Sequence, residues 1–133
     1  MRTKKILINE KPIPQARPRV TRFTTYDPRK NQKVWIRQLI HEQYNDTLSC
    51  PLEVDFKFFL PIPKSVSRKI RERMKSGLIP HIKRPDIDNY LILYLNAMTG
   101  IVYSDDNQVY AVSAKKEYSE NPRTEITIKW ENL

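Results

Sequence analysis

The sequence predicts an α+β fold: a single domain, residues 1–133, with a mixed, mostly antiparallel sheet packed against helices. A chain of 133 residues is long enough for one core and too short to suggest two. Segments that alternate apolar and polar residues, typical of strands, are interspersed with segments of three-to-four spacing, typical of helices. Hydrophobic residues make up 39% and charged residues 29%, as is typical of soluble globular proteins.

The first third of the chain predicts a strand, a loop and a helix. Residues 4–9 form the strand, and a proline-rich loop of residues 11–26 follows it. Asp27 and Pro28 are typical of a helix start, and the helix is expected to end near Asn45. Its apolar residues recur at the spacing of one buried face: Trp35, Ile36, Leu39, Ile40 and Tyr44. Its basic residues are expected to face water or DNA: Arg29, Lys30, Lys33 and Arg37.

The loop of residues 11–26 is predicted to bind DNA phosphates. Pro12, Pro14 and Pro18 restrict its backbone, because the proline ring fixes one backbone dihedral angle. Guanidinium groups form hydrogen bonds that match the geometry of phosphate oxygens, and this loop carries three guanidinium groups. The candidate DNA-binding residues here are Arg17, Arg19 and Arg22.

The middle of the chain predicts a strand and a short basic helix. Residues 52–60 alternate apolar with mostly polar side chains, as a strand with one buried face does. A helix is expected from Ser65 to Lys75, closed by Gly77. Its surface could either be solvated or face DNA, and the sequence leaves both open. Its candidates for DNA contact are Arg68, Lys69, Arg71 and Arg73.

The last third of the chain predicts a helix and two strands. Residues 88–98 are apolar on nearly every side, so we expect a helix buried nearly all round, in the core or at an interface. Residues 109–118 and 124–130 are predicted strands, and Asn121 and Pro122 form a turn between them.

The net charge of +9 is the strongest compositional indication of a partner. A small basic protein attracts polyanions, so nucleic acid is the favoured partner. The alternative is that the lysines and arginines serve only to keep the protein soluble. Cys50 is the only cysteine, and His41 and His81 lack metal-ligand spacing, so any metal site must be built from oxygen. We expect a cytoplasmic protein without a membrane partner, because no apolar run is long enough to span a bilayer and the start does not resemble a signal sequence.

Acidic residues are the minority, yet they concentrate at Asp86 and Asp88 and at Asp105 and Asp106. Two carboxylates entering a helix one residue apart can aim at one point, and a pair from a nearby turn can complete an oxygen cage for a hard cation. Magnesium fits best, and it would activate water against a phosphodiester and neutralise the leaving oxygen. The alternative is that the first pair caps the helix and the second shapes a turn.

Three motifs make the chain similar to a known family. They are KRPDIDN at residues 83–89, LNAMTG at residues 95–100 and DDNQV at residues 105–109. In order and spacing they resemble the RusA family of Holliday junction resolvases, which are typically borne by phages or prophages. The resemblance extends over residues 61–118, about half of the chain.

The resemblance implies a magnesium-dependent endodeoxyribonuclease of DNA recombination and repair, with Mn²⁺ able to substitute and no small-molecule cofactor. It implies a homodimer that binds four-way or branched DNA and makes paired symmetric nicks, since two matched sites suit a symmetric junction. By position, Asp86, Asp88 and Asp106 match the catalytic, metal-holding aspartates, and Asp105 is accessory. The first motif also adds Lys83 and Arg84 to the DNA-binding candidates.

Two positions depart from the family pattern. Ile92 stands where the family usually has a catalytic lysine, and Asn96 stands where it has an aspartate. Without the positive charge of that lysine, catalysis is expected to be weaker unless another side chain supplies the charge. The candidate substitutes are Lys83, Lys115 and Lys116. The alternative function is therefore a junction-binding protein of the same fold with weak or lost cleavage. A further alternative is a general metal nuclease acting on branched or single-stranded DNA.

Overall fold

The computed structural model describes residues 1–16 and 19–131, with the backbone alone for Arg19 and Tyr26. The strands are β1 Arg2–Ile8, β2 Arg19–Val20, β3 Thr25–Tyr26, β4 Leu52–Pro61, β5 Val109–Ser119 and β6 Arg123–Trp130. The helices are α1 Lys30–Gln43, α2 Arg68–Lys75 and α3 Ile87–Met98, and a 3₁₀ turn spans Asp106–Gln108. In the part of the chain that the structure describes, no helix is long and apolar enough to cross a membrane.

One four-stranded sheet organises the fold, with strand order β1-β6-β4-β5. The pairs β1–β6 and β4–β6 are antiparallel, whereas β4 and β5 are parallel. The sheet is therefore mixed and mostly antiparallel, and the predicted α+β class is confirmed. Strands β5 and β6 are not neighbours, because both pair with β4 and the turn between them carries the chain past the end of β4. A separate ribbon of β2 and β3 lies within the arginine-containing loop.

The core lies on one face of the sheet, beneath α1 and α3. Strand β4 alternates as the sequence predicts, and the buried residues of its inner face are Leu52, Val54, Phe56, Phe58 and Leu60. The Phe58 ring stacks on Tyr90 of α3 with centroids 5.1 Å apart, and it meets Tyr94 at 5.6 Å. Helix α3 is thus fixed to the middle of the sheet by aromatic contacts.

Helix α1 buries Ile36 and Ile40, but the prediction that Trp35 belongs to the same buried face is wrong. Trp35 is 47% exposed, and its Nε1 donates to Glu10 Oε1 at 3.3 Å. Successive helical residues are about 100° apart, so Trp35 lies to one side of the face that Ile36 presents to the sheet. Asp27 acts just before the helix, where its Oδ1 accepts from the Arg29 N–H at 2.8 Å.

The sequence predicted a helix buried nearly all round, and for α3 this prediction is wrong. Ile92 is 45% exposed and Asn96 is also exposed, because the helix covers the sheet with only one side. Asp88, Ile92 and Asn96 are spaced four residues apart, so they share this outward face. Arg37 of α1 was expected to face water or DNA, but its Nη1 donates to Ala97 O at 2.9 Å and Thr99 O at 2.8 Å, at the end of α3.

Helix α2 lies beside the C-terminal half of β5. Ser67, not Ser65, is its N-cap, and the Ser67 Oγ accepts from the Ile70 N–H at 3.3 Å. Gly77 closes the helix with φ 84°, a conformation that a side chain would strain. Met74 is the buried residue of this helix, and it joins a small second cluster with Ile62 and Tyr118.

Candidate functional site

The segment that carries Asp86 is attached to strand β5 by one lysine. Lys116 Nζ donates to Lys83 O at 2.8 Å and to Pro85 O at 3.0 Å. Both carbonyls belong to the loop that leads into α3. A charged donor to two carbonyls holds that loop against the sheet and so fixes where Asp86 enters the helix.

Asp86 and Asp88 lie at the start of α3 with exposed side chains. Asp86 is the N-cap residue, yet its carboxylate makes no capping hydrogen bond within the described chain. Asp88 lies in the first turn, where the helix dipole favours a negative charge. Among the described residues, no salt bridge includes either side chain. The capping alternative therefore does not account for the Asp86 carboxylate.

Asp105 and Asp106 have different local roles, although they are adjacent. Asp105 Oδ1 accepts from the Asn107 N–H at 3.0 Å, and the Asp105 N–H donates to Gln108 Oε1 at 2.9 Å. These bonds form a capping box at the 3₁₀ turn. Asp106 is the first residue of that turn and is exposed, and in the described structure it takes part in no salt bridge. Asp105 thus stabilises the turn and leaves the Asp106 carboxylate uncommitted.

The 3₁₀ turn and helix α3 are in contact, which brings together the elements that carry the two acidic motifs. Tyr103 links them, because its hydroxyl donates to Leu95 O of α3 at 2.6 Å. Burial raises the pKa of Tyr103, and the nearby Asp106 carboxylate raises it further. Gln108 holds the other side of the turn, since its Nε2 donates to Leu48 O at 2.9 Å and Cys50 O at 3.0 Å.

The donor chemistry of these aspartates fits a hard divalent cation, but the side chains do not form a ready ligand set. Within residues 1–16 and 19–131, no group of three or more His, Cys, Asp or Glu side chains is arranged to hold a metal ion. Exposed carboxylates are ligands that Mg²⁺ accepts, usually one or two at a time with water and phosphate oxygens completing its shell. An open arrangement is also expected of like charges without a cation, because close carboxylates repel.

The lysine candidates near the site differ in what they contact. Ile92 lies one helical turn after Asp88 on the same exposed face, so the position at which the resemblance implies a lysine is apolar here. Lys116 is engaged with the loop carbonyls. Lys115 pairs with Glu117 at 3.4 Å and is largely exposed, and Lys83 is exposed. The sequence suggested these lysines as substitutes, and of them Lys116 has a structural role that no sequence pattern indicated.

The predicted DNA-binding residues are distributed over three segments. Arg22 is exposed at the end of the β2–β3 ribbon, whereas Arg17 and the side chain of Arg19 lie outside the described residues. Arg71 of α2 is half-buried, with its Nη2 donating to Pro63 O at 3.2 Å. The remaining candidates are exposed on α2 or before α3: Arg68, Lys69, Arg73, Lys83 and Arg84.

His81 is a titratable group five residues before Asp86, and the sequence gave it no role as a metal ligand. Its ring is half-buried, 4.7 Å from the Tyr118 ring between centroids. Burial lowers the pKa of His81, and the positive charge of Lys116 lowers it further. The imidazole is therefore neutral over a wider pH range than an exposed histidine.

Two comparisons with known proteins bear on this site. The family model described as "Endodeoxyribonuclease RusA" matches residues 9–129, which include both acidic motifs. The chain is 32% identical over 134 residues to "Uncharacterized protein YqaN" of Bacillus subtilis (strain 168), covering 94% of each protein. The family match extends well beyond the motifs, through all three helices, strands β4 and β5 and nearly all of β6. The chain therefore belongs to the RusA family of endodeoxyribonucleases.

Proposed function

We propose that this protein is a magnesium-dependent endodeoxyribonuclease that resolves four-way DNA junctions by paired symmetric nicks, in recombination and repair. One observation carries the proposal: Asp86, Asp88 and Asp106 are exposed, take part in no salt bridge among the described residues, and come from two elements in contact. Carboxylates of like charge on elements in contact repel one another, and a divalent cation bound between them offsets that repulsion.

Asp86, Asp88 and Asp106 would hold the cation, Mg²⁺ or in its place Mn²⁺. When bound, the ion would supply a more acidic water and offset charge on the leaving oxygen. Asp105 is accessory, since it caps the turn that presents Asp106. Lys116 is a positioning residue, because it holds the loop before Asp86 through Lys83 O and Pro85 O.

DNA binding in this proposal depends on the exposed cations around the acidic motifs. Lysine and arginine side chains contact phosphates and release counterions, so affinity should fall steeply as salt rises. Arg22 on the ribbon, the basic face of α2, and Lys83 and Arg84 before α3 supply these charges.

A homodimer completes the proposal. A four-way junction has two-fold symmetry, and opposing strands are cut together only if two identical sites are held on one particle. Each subunit would carry one acidic site, so the two nicks would be symmetric about the branch point.

A second candidate function is junction binding with weak or no cleavage. The observation that favours it is Ile92, which is 45% exposed one turn from Asp88, where the family usually has a lysine. An isoleucine there cannot orient water or offset transition-state charge.

The test uses labelled four-way junction and linear duplex, each with magnesium and then with chelator. Symmetric, magnesium-dependent nicks in the junction alone support the first proposal. Junction binding without cleavage in Mg²⁺ or Mn²⁺ supports the second. Cutting of linear duplex at a similar rate contradicts junction specificity and favours a general metal nuclease.

Adjacent aspartates supply a matched pair of variants for the same assay. Asp106→Asn should abolish nicking and leave junction binding within about twofold, because it removes a metal ligand and only one charge. Asp105→Asn should keep most of the nicking, since asparagine also accepts the capping hydrogen bond. Equal losses in the two variants would contradict the separate roles assigned here.

A further inference from the structure

The ribbon of β2 and β3 ends in a tight turn that is held by its own side chains. The Thr21 N–H donates to Thr24 O at 2.7 Å, and the Thr21 hydroxyl donates to the same oxygen at 3.0 Å. Thr21 Oγ1 also accepts from the Thr24 N–H at 3.1 Å and the Phe23 N–H at 3.4 Å. These bonds constrain the backbone at Arg22 and Phe23, the two residues at the tip.

The tip presents an aromatic ring to solvent. Phe23 is 89% exposed, the highest value among the exposed large hydrophobic residues of the described chain. The Arg22 guanidinium lies 5.6 Å from the centroid of the Phe23 ring. No other aromatic ring pairs with Phe23 in the part of the structure that is described. The ring is thus available for contact from outside the chain.

Single exposed apolar residues are common, so exposure alone indicates little. Here the ring stands at the end of a constrained ribbon, next to a cation, in a protein of net charge +9. Aromatic rings flanked by basic groups bind nucleic acids, because the ring stacks on a base while the cation contacts the phosphate. Apolar side chains inserted between base steps also kink and unstack duplex DNA.

We propose that Phe23 is a wedge that stacks on a nucleobase at the branch point of a DNA junction, with Arg22 contacting the adjacent phosphate. The proposal rests on branched DNA being the substrate, and it adds how the branch is distinguished from linear duplex. Inserting a ring into continuous duplex requires unstacking of a base step, whereas bases at an open branch point lack a stacking partner on one side. The wedge therefore favours branched or unpaired DNA.

The test measures binding in chelator, so that it does not depend on cleavage. A four-way junction carries the fluorescent base 2-aminopurine at the branch point, and a linear duplex carries it at its centre. Wild-type protein should change the fluorescence of the junction and leave that of the duplex almost unchanged. Phe23→Ala should remove the change and weaken junction binding about 5- to 150-fold, the range for loss of one base–aromatic stack. Its affinity for duplex should stay within about twofold.

Two variants control for effects that do not involve stacking. Phe23→Trp should keep the fluorescence change, because the indole also offers a flat face. Val20→Ala alters another exposed apolar residue of the same ribbon, 78% exposed and not aromatic, and should behave as wild type. Equal losses for junction and duplex in Phe23→Ala would overturn the wedge, as would an unchanged fluorescence signal.

The remaining outcomes separate the wedge from its alternatives. If Phe23→Ala weakens self-association in sedimentation experiments and leaves the fluorescence change intact, the tip faces a second copy of the chain and the wedge is overturned. A wild-type protein that gives the fluorescence change but never nicks DNA supports the wedge and contradicts the nuclease proposal. One that nicks junctions without the fluorescence change contradicts the wedge alone.

Discussion

Replacing Lys116 by methionine should loosen the loop that presents Asp86. The methionine side chain keeps most of the length and apolar volume of lysine but cannot donate to Lys83 O and Pro85 O, at 2.8 and 3.0 Å in the wild type. A hydrogen bond from a charged donor contributes about 1.5–3 kcal/mol when shielded from water. Since water can replace the donor at the exposed Lys83 carbonyl, we expect a total loss of about 1–3 kcal/mol.

Urea denaturation at pH 7 measures the stability part of this prediction, and junction nicking in magnesium measures the rest. The nicking rate should fall at least about tenfold, because a displacement of a catalytic group by 1 Å can cost on the order of a hundredfold. The pKa of His81, measured by NMR, should rise in the same variant, since the Lys116 charge helps to lower it.

Lys115→Met is the matched control, because Lys115 is the preceding residue of β5 and pairs only with Glu117 among the described residues. An exposed pair of this kind contributes about 0–1 kcal/mol, so stability and nicking should change little. If Lys116→Met and Lys115→Met have equal stability and equal nicking rates, the positioning role of Lys116 is refuted.

Arg37→Met should lower the free energy of unfolding by about 1–3 kcal/mol in urea, because the carbonyls of Ala97 and Thr99 lose a shared charged donor; an unchanged midpoint would contradict this. Ile92→Lys should raise the junction nicking rate at least about tenfold if the apolar residue limits catalysis, and no gain in rate would remove that explanation. Because the pKa of folded His81 lies below its ordinary value of 6.5, the unfolded chain binds more protons, and stability is lost as pH falls from about 6.5 through the folded pKa. His81→Gln should abolish this part of the pH dependence, and a wild-type curve retained by the variant would assign it to other groups.

Local sequence patterns predict the helices and strands of this fold, and the residues whose burial was predicted wrongly are those whose environment depends on tertiary packing. The alternation in β4 predicts its buried face because a strand exposes opposite sides in turn. Trp35 and Ile92 were misassigned because an apolar residue next to a buried face has no local signal that it points elsewhere. The contacts of Arg37 could not be predicted from its neighbours either, since the carbonyls that it binds, Ala97 O and Thr99 O, are distant in sequence.

The acidic motifs were recognisable from sequence, and the family resemblance already gave Asp105 and Asp106 different roles, but the sequence did not show the contacts that distinguish them. Asp105 and Asp106 are the same residue type in adjacent positions, and only the hydrogen bond from the Asn107 N–H identifies Asp105 as the cap. Lys116 is one of the two adjacent lysines of β5, and the local sequence does not distinguish it from Lys115, because its two acceptors are backbone carbonyls of a distant loop.

Paramagnetic broadening by Mn²⁺ in an NMR spectrum of the ¹⁵N-labelled protein tests the central claim most directly. The ion broadens only the amide signals near its binding site, so it reports whether two segments share one site. We predict that the amides around Asp86 and Asp88 broaden together with those around Asp106, at the same Mn²⁺ concentration, and that excess Mg²⁺ reverses both effects. Broadening confined to one of the two segments would contradict a cation site shared by helix α3 and the 3₁₀ turn.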